Sequence, residues 1–302
     1  PHQRYEDCIG VVMYEDTDSC YVNAEPLLRK MYPNFDSLEE ADKSNKLEAL
    51  SLDYQDRIND YYVGFAQEAF NVPKDKNRLE MKTECTIRSA FFSGKRRYAQ
   101  YITKKEGVPC DEIDVKGLDF KKSNFPPLFR TFFEEILNKI LFGETREKID
   151  QQILEFKDSL DDRDFVAISK PTGVRGIDKY LAAPATAGCI FSTFENKAPV
   201  GVKAAVRYND LLKFKGLDKK HTQIVEGDKI KWVYLRDNPY KIDTMGFLDF
   251  DMPPKIREFI EEYVDKSRAF DTILKNKLES FYQDLGWGDL TLNTYVQQFF
   301  KF

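Results

Sequence analysis

The sequence predicts an α+β fold in two parts, a mixed portion over residues 1–120 followed by a mainly helical one over residues 121–290. Three observations predict it. VVMYEDTDSCYV, from Val11 to Val22, has apolar runs on either side of a short acidic stretch, the pattern of an antiparallel hairpin. Apolar residues then recur at helical spacing at Leu47, Leu50, Tyr54, Ile58, Tyr61 and Phe65. A second helical stripe, Phe129, Phe132, Phe133, Ile136, Leu137, Ile140 and Leu141, follows the Pro126-Pro127 pair.

The elements follow in order. CIGVVMY and SCYV are expected strands, with EDTD as their turn and both apolar runs buried. Ser37 and Glu40 have the spacing of a capping box ahead of the long helix, which Pro73 is expected to end. RRYAQYI and EIDVKGLDF read as strands separated by a polar turn at residues 106–109. After the Phe-rich helix, Gly143 is expected to stop it and Thr145 to cap the next, whose apolar face is Ile149, Ile153, Leu154 and Leu160. Residues 170–193 read as loop, residues 200–250 as short strands including KIKWVYL, and residues 254–285 as a final helical run.

Composition narrows the function classes. The chain has 302 residues, 42% hydrophobic and 32% charged, which describes a globular protein long enough for two domains. No apolar run is long enough for a membrane span and no signal-peptide pattern is present, so neither a membrane partner nor secretion is expected. Five scattered cysteines without a CxxC pair point to a reducing compartment rather than a disulfide framework. With only His2 and His221, His-based metal or triad chemistry has little support. The net charge of −5 conceals a local feature: Cys85 to Lys105 carries six basic residues (Arg88, Lys95, Arg96, Arg97, Lys104, Lys105) and no acidic one. Such a run is either a solvated face or a phosphate-binding one.

The acids raise the same choice. Asp16 and Asp18 stand one residue apart at the hairpin tip, where Asp also serves plain turn chemistry. Two close carboxylates repel unless they share a proton or a cation. Mg²⁺ takes few protein carboxylates and fills its other positions with water and phosphate oxygens, so a paired-acid turn beside a basic strand suits phosphoryl transfer.

YEDTDS, Tyr14 to Ser19, resembles the Y-G-D-T-D-S signature of family B DNA polymerases, with Glu15 where glycine is usual. GKRRYA at Gly94 resembles their K-K-R-Y segment, with Arg96 for the second lysine. VKGLDFKKSNFP, from Val115, is similar to the passage from palm to thumb. KYLA at Lys179, VKAAVRYN at Val202, IVEGDKI at Ile224 and YLRDNPY at Tyr234 continue the series, most similar to replicative polymerases of T-even-like bacteriophages. Gly201 stands where related thumbs have histidine.

The resemblance implies a DNA-directed DNA polymerase that extends a primer on template DNA with deoxynucleoside triphosphates and two Mg²⁺ ions, in the cytoplasm of an infected bacterium. Residues 1–120 would be part of the palm and 121–290 the thumb. Asp18 would be a direct metal ligand, Asp16 would tune the metal field, and Glu84 would lie close by. Lys95, Arg96, Arg97 and Tyr98 would follow the primer, and Lys121 and Lys122 the duplex backbone. The D-x-x-S-L-Y-P and K-x-x-x-N-S-x-Y-G segments, which hold a third acid and the triphosphate, are absent, as are exonuclease motifs. The expectation is a carboxyl-terminal part, truncated or naturally split, inactive without an amino-terminal polymerase part.

The tail, residues 291–302, contains NTYVQQFF. Asn293, Val296, Phe299 and Phe300 resemble the Q-x-x-Ψ-x-x-F-F peptide that binds a sliding clamp; the bland alternative is a terminus folded onto its own thumb. Two further readings stay open: a non-catalytic module that binds DNA and the clamp, and another palm-type nucleotidyl transferase such as a reverse transcriptase.

Overall fold

The structure, a computed structural model, describes residues 12–292. The chain divides into two compact units, residues 1–118 and 119–302. Both are mixed helix and small antiparallel sheets, in keeping with an α+β class. Among the described residues no helix is long and apolar enough to cross a membrane.

In the first unit β1 (Val12–Asp16) and β2 (Ser19–Val22) form the expected hairpin, with Asp16 paired to Ser19. α1 (Glu25–Met31) and the 31-residue α2 (Glu40–Phe70) follow, then the meander β3 (Cys85–Gly94), β4 (Arg97–Lys105) and β5 (Val108–Lys116). β3 is absent from the sequence reading. Its register shifts at Thr86/Ile87, Ile87/Ser89 and Phe92/Gly94 explain why, because each bulge breaks the alternation that marks a strand. The turn from β4 to β5 is two residues long, Glu106 and Gly107, both at positive φ, as a type I′ hairpin requires.

The capping box does not form. Ser37 Oγ donates to the Asn34 carbonyl instead, and α2 starts after Glu39 with no side-chain cap. Asn71 in the left-handed conformation (φ 56°), not Pro73, ends it, with the N–H groups of Asn71 and Val72 donating to the Gln67 and Ala66 carbonyls.

α2 also seats differently from its apolar pattern. Polar contacts join it to the meander: Ser44 Oγ lies 2.9 Å from Thr103 Oγ1, and Lys104 Nζ donates to Glu48 Oε2 at 2.6 Å. Leu50 is buried beside Leu28 and Phe35, but Tyr54, Tyr61 and Phe65 are 40, 65 and 39% exposed. Of these, Tyr61 stacks on Phe65 at 5.9 Å.

The second unit opens with α3 (Pro127–Leu141) and α4 (Arg146–Asp158). The predicted Phe stripe is its core. Phe129, Ile136 and Leu137 are fully buried, Phe132 stacks on Phe156, and Phe133 on Phe120. Thr145 precedes α4 without a side-chain cap bond. After α5 (Phe165–Ile168), residues 170–193, expected as loop, hold β6 (Lys170–Gly173), α6 (Ile177–Tyr180) and β7 (Leu181–Ala183), which pairs with β8 (Thr193–Phe194).

Residues 200–214, read as strand, are the helix α7 (Val200–Phe214). It is buried around much of its circumference (Val202, Ala204, Ala205, Val206, Tyr208, Leu211, Leu212), and an apolar run of that kind has no helical stripe to read. α7 lies on the sheet β6–β9–β10, where β9 is Lys229–Tyr234 and β10 Thr244–Phe247. The approach is close at Gly246, where a Cβ would fall 2.9 Å from the Ala204 carbonyl, so only glycine fits there. At Gly201 a Cβ would meet Thr172 Cγ2 at 2.6 Å, which accounts for glycine at that position here.

The final helical run is interrupted. α8 (Pro254–Tyr263) stops at Val264, α9 (Lys266–Ala269) starts under an Asp265 cap on the Arg268 N–H, and a π-helical stretch, Phe270–Lys275, leads into α10 (Asn276–Asp284).

Candidate catalytic turn and its basic partner

The tip of β1–β2 is a three-residue turn. The Asp18 N–H donates to the Asp16 carbonyl at 2.7 Å and Thr17 sits at φ 59°. A β-branched residue seldom adopts positive φ, and such local strain persists only where the surroundings enforce it. Here it puts Asp16 and Asp18 at the apex. Asp18 is exposed and its carboxylate bonds to no described side chain, whereas Asp16 is engaged.

The enforcing contact is aromatic. Tyr14 from β1 and Tyr21 from β2 pack on Phe92 from β3 and Tyr98 from β4, with Tyr14 stacked on Phe92 at 5.1 Å and Tyr21 edge-on to it at 5.2 Å. This quartet docks one face of the hairpin on the meander. Burial pushes the Tyr21 hydroxyl well above its ordinary value, with Tyr98 adding to the shift. The other face is open, contrary to the buried hairpin expected from its apolar runs: Val12, Met13 and Val22 are 42, 53 and 45% exposed.

That docking brings the acid turn to the basic one. Gly94 pairs with Arg97, which leaves Lys95 and Arg96 as a two-residue turn with Arg96 at φ 59°. Arg96 donates its backbone N–H to the Tyr14 hydroxyl at 2.7 Å and its Nε–H to Asp16 Oδ2 at 2.8 Å. The Arg96 guanidinium holds the Asp16 carboxyl below its ordinary range, and the charge of Lys95 acts in the same direction. The Arg96 main chain is fixed from behind as well. A Cβ on Gly117 (φ 65°) would fall 2.1 Å from the Arg96 carbonyl oxygen, so the end of β5 can touch this turn only as glycine.

Asp16, Asp18, Lys95, Arg96 and Tyr98 thus belong to one constellation. Arg97 flanks it as an exposed residue at the start of β4. Glu84 does not belong to it. The Glu84 carbonyl accepts the Glu106 N–H at the opposite end of β3 and β4, a ten-residue strand from Gly94, or about 30 Å at ~3.3 Å per residue. The family resemblance implied a place near the acid turn, and the direction of β3 carries Glu84 to the other end of the sheet.

In the second unit Lys122 Nζ bonds Asp119 Oδ1 at 2.6 Å, and Lys121 Nζ reaches Glu134 Oε1 at 2.9 Å. Lys277, from α10, takes the other Asp119 oxygen at 2.6 Å. Arg130 gathers the carbonyls of Phe120, Lys122 and Phe125 and so shapes this loop. Sequence reasoning missed Tyr14 as a link to the basic turn, and also Arg130 and Lys277. Only the tyrosine lay within a motif already singled out. Asn293, Val296, Phe299 and Phe300 lie outside the described residues.

Two carboxylates on an exposed turn are hard oxygen donors of the kind Mg²⁺ accepts alongside water and phosphate oxygens. Among the described residues no group of three or more His, Cys, Asp or Glu side chains could hold a metal. The sequence matches no protein-family model, and it matches none of the curated proteins.

Proposed function

We propose that this chain is the metal-binding and duplex-gripping carboxyl-terminal part of a family B DNA-directed DNA polymerase. The observation that carries this reading is the pairing of the Asp16-Thr17-Asp18 turn with the Lys95-Arg96 turn through Tyr14 and Asp16. Carboxylates that hold Mg²⁺ beside cations that hold phosphate are the arrangement that metal-assisted phosphoryl transfer uses. Mg²⁺, when bound, supplies activation of the attacking oxygen and stabilisation of the leaving one.

Asp18 offers the free carboxylate for that ion. Asp16 orients Arg96, and Lys95 and Arg96 neutralise the phosphates of the primer end. Arg97 and Tyr98 continue the primer track, and Lys121 and Lys122 serve the duplex backbone. A third acid and the triphosphate-binding helix come from an amino-terminal polymerase part, and the tail from Asn293 to Phe300 engages a sliding clamp in the infected bacterial cell. Activity needs both parts together.

The test is primer extension with Mg²⁺ and deoxynucleoside triphosphates, by this chain alone, by a mixture with an amino-terminal family B fragment, and by the mixture carrying Asp18→Ala. Extension by the mixture alone, lost in the variant, is the expected result. Robust extension by the isolated chain, or extension indifferent to Asp18, would sink the reading.

One observation favours a second reading. Arg96 already neutralises Asp16, as the acids would do if their task were to position the basic turn in a non-catalytic module that binds DNA and the clamp. That module would bind duplex equally well with Asp18→Ala and would support no extension in any mixture.

A further inference from the structure

The apolar stripe of α2 changes its surroundings halfway along. Leu47 and Leu50 are packed with Leu28 and Phe35, whereas Tyr54, Tyr61 and Phe65, further along the same stripe, are exposed. Phe70 ends the stretch edge-on to Phe65 at 5.5 Å, and Tyr61 and Phe70 are each 65% exposed. The same imbalance runs through the unit. Among the described residues the first unit supplies few of the buried hydrophobics and most of the large exposed ones. An apolar helix stripe is a packing face, and contiguous exposed apolar surface marks a place where another surface lies.

Gly64 is an independent sign of that second surface. It sits inside α2 between Tyr61 and Phe65, where glycine is the least favourable residue other than proline. A Cβ there would meet nothing within 4 Å. At Gly246 the Ala204 carbonyl requires glycine; at Gly64 no described residue does. The neighbouring charges say what approaches. Asp53, Arg57, Asp60, Gly64 and Glu68 follow at spacings of three and four residues and form one row beside the stripe. Arg57 pairs with Asp53 at 2.9 Å, which leaves Asp60 and Glu68 without a described ion pair. The opposite side is taken, since Asn59 and Gln55 accept the N–H groups of Met81 and Thr83, each at 2.7 Å. An acidic row repels a phosphate backbone, and two copies packed antiparallel would set the row against itself. A basic, apolar protein surface fits it.

We propose that Tyr61, Phe65 and Phe70, with Gly64 as the point of closest approach, dock the amino-terminal polymerase part through an apolar segment of that part flanked by basic residues. The identity of the partner rests on the polymerase reading, in which the first unit is the incomplete one. The aromatics supply the buried area, the missing Cβ lets the partner come close to the helix backbone, and Asp60 and Glu68 orient it.

The experiment is biolayer interferometry of the full chain against an immobilised amino-terminal family B fragment, without DNA, for wild type, Gly64→Ala, Tyr61→Ala and Asp60→Asn. Thermal unfolding of each chain alone and primer extension by each mixture are followed in parallel. Gly64→Ala should unfold at a higher temperature than wild type, because alanine favours the helix, and yet bind the fragment about tenfold more weakly. A glycine with a role only inside this chain would show no such opposition. Tyr61→Ala should unfold as wild type does and also bind about tenfold more weakly. Added salt should weaken the wild-type association more than that of Asp60→Asn. Wild-type affinity in Gly64→Ala and Tyr61→Ala, or no binding by the wild-type chain, would overturn the docking face. Binding that the variants weaken, with no extension by any mixture, would keep the face and sink the polymerase reading.

Discussion

The hydroxyl of Tyr14 accepts the backbone N–H of Arg96 across 82 residues of chain, and the Arg96 side chain returns to Asp16, two residues beyond Tyr14. The acid turn and the basic turn are therefore held in one register by a main-chain bond and an ion pair. Tyr14→Phe keeps the ring in its aromatic quartet and removes only the bond. Unfolding in urea should show a loss of about 0.5–1 kcal/mol. Extension by the reconstituted mixture should fall further, roughly ten- to a hundredfold, because small misplacements of catalytic groups are costly. A fall in stability with full activity would mean that the register does not matter.

Asp18 separates function from folding. Its carboxylate is exposed and bonds to no described side chain, so Asp18→Asn should leave the unfolding free energy within about 0.5 kcal/mol of wild type. Primer extension by the mixture should nevertheless be lost. A clear destabilisation would show that the acid is a turn residue first.

Gly117 tests the floor beneath the basic turn. Ala at this position needs the left-handed backbone (φ 65°) and puts a methyl 2.1 Å from the Arg96 carbonyl oxygen, which is backbone and cannot swing away. Gly117→Ala should destabilise by roughly 2–3 kcal/mol in denaturant unfolding. A neutral result would show that β5 and the turn are not in contact in solution.

Two acids of the second unit give it a pH signature. Asp251 is held down to about 2 by the N–H of Thr222, with His221 adding to the effect. Asp119 is held down to about 2 by Lys122 and then Lys277. A carboxyl depressed below its ordinary 3.8 stabilises the fold above that pH, and the contribution disappears as pH falls from 3.8 towards 2. The stability difference between wild type and Asp251→Asn should therefore be constant near neutrality and close over that window. A difference that persists at pH 2 would place the stabilisation elsewhere.

Removal of Tyr295 to Phe302 should abolish retention on an immobilised sliding clamp and leave the circular dichroism spectrum unchanged. Retention by the shortened chain would dispose of the clamp peptide.

By itself the sequence determined which segments are strand or helix wherever a single face is buried. The Phe stripe of α3 and the alternation of β9 are legible because their periods are local properties. It also marked the acid pair and the basic run as chemistry in want of a partner. Only the tertiary structure decided which of these meet. The bulges in β3 hid that strand, the burial of α7 on several sides hid its period, and the direction of β3 carried Glu84 away from Asp16 while the hairpin turn brought Arg96 to it. Pairings across 82 residues (Tyr14 with Arg96) or 158 residues (Asp119 with Lys277) leave no periodic trace, because each depends on how separate elements pack rather than on the spacing within any one of them.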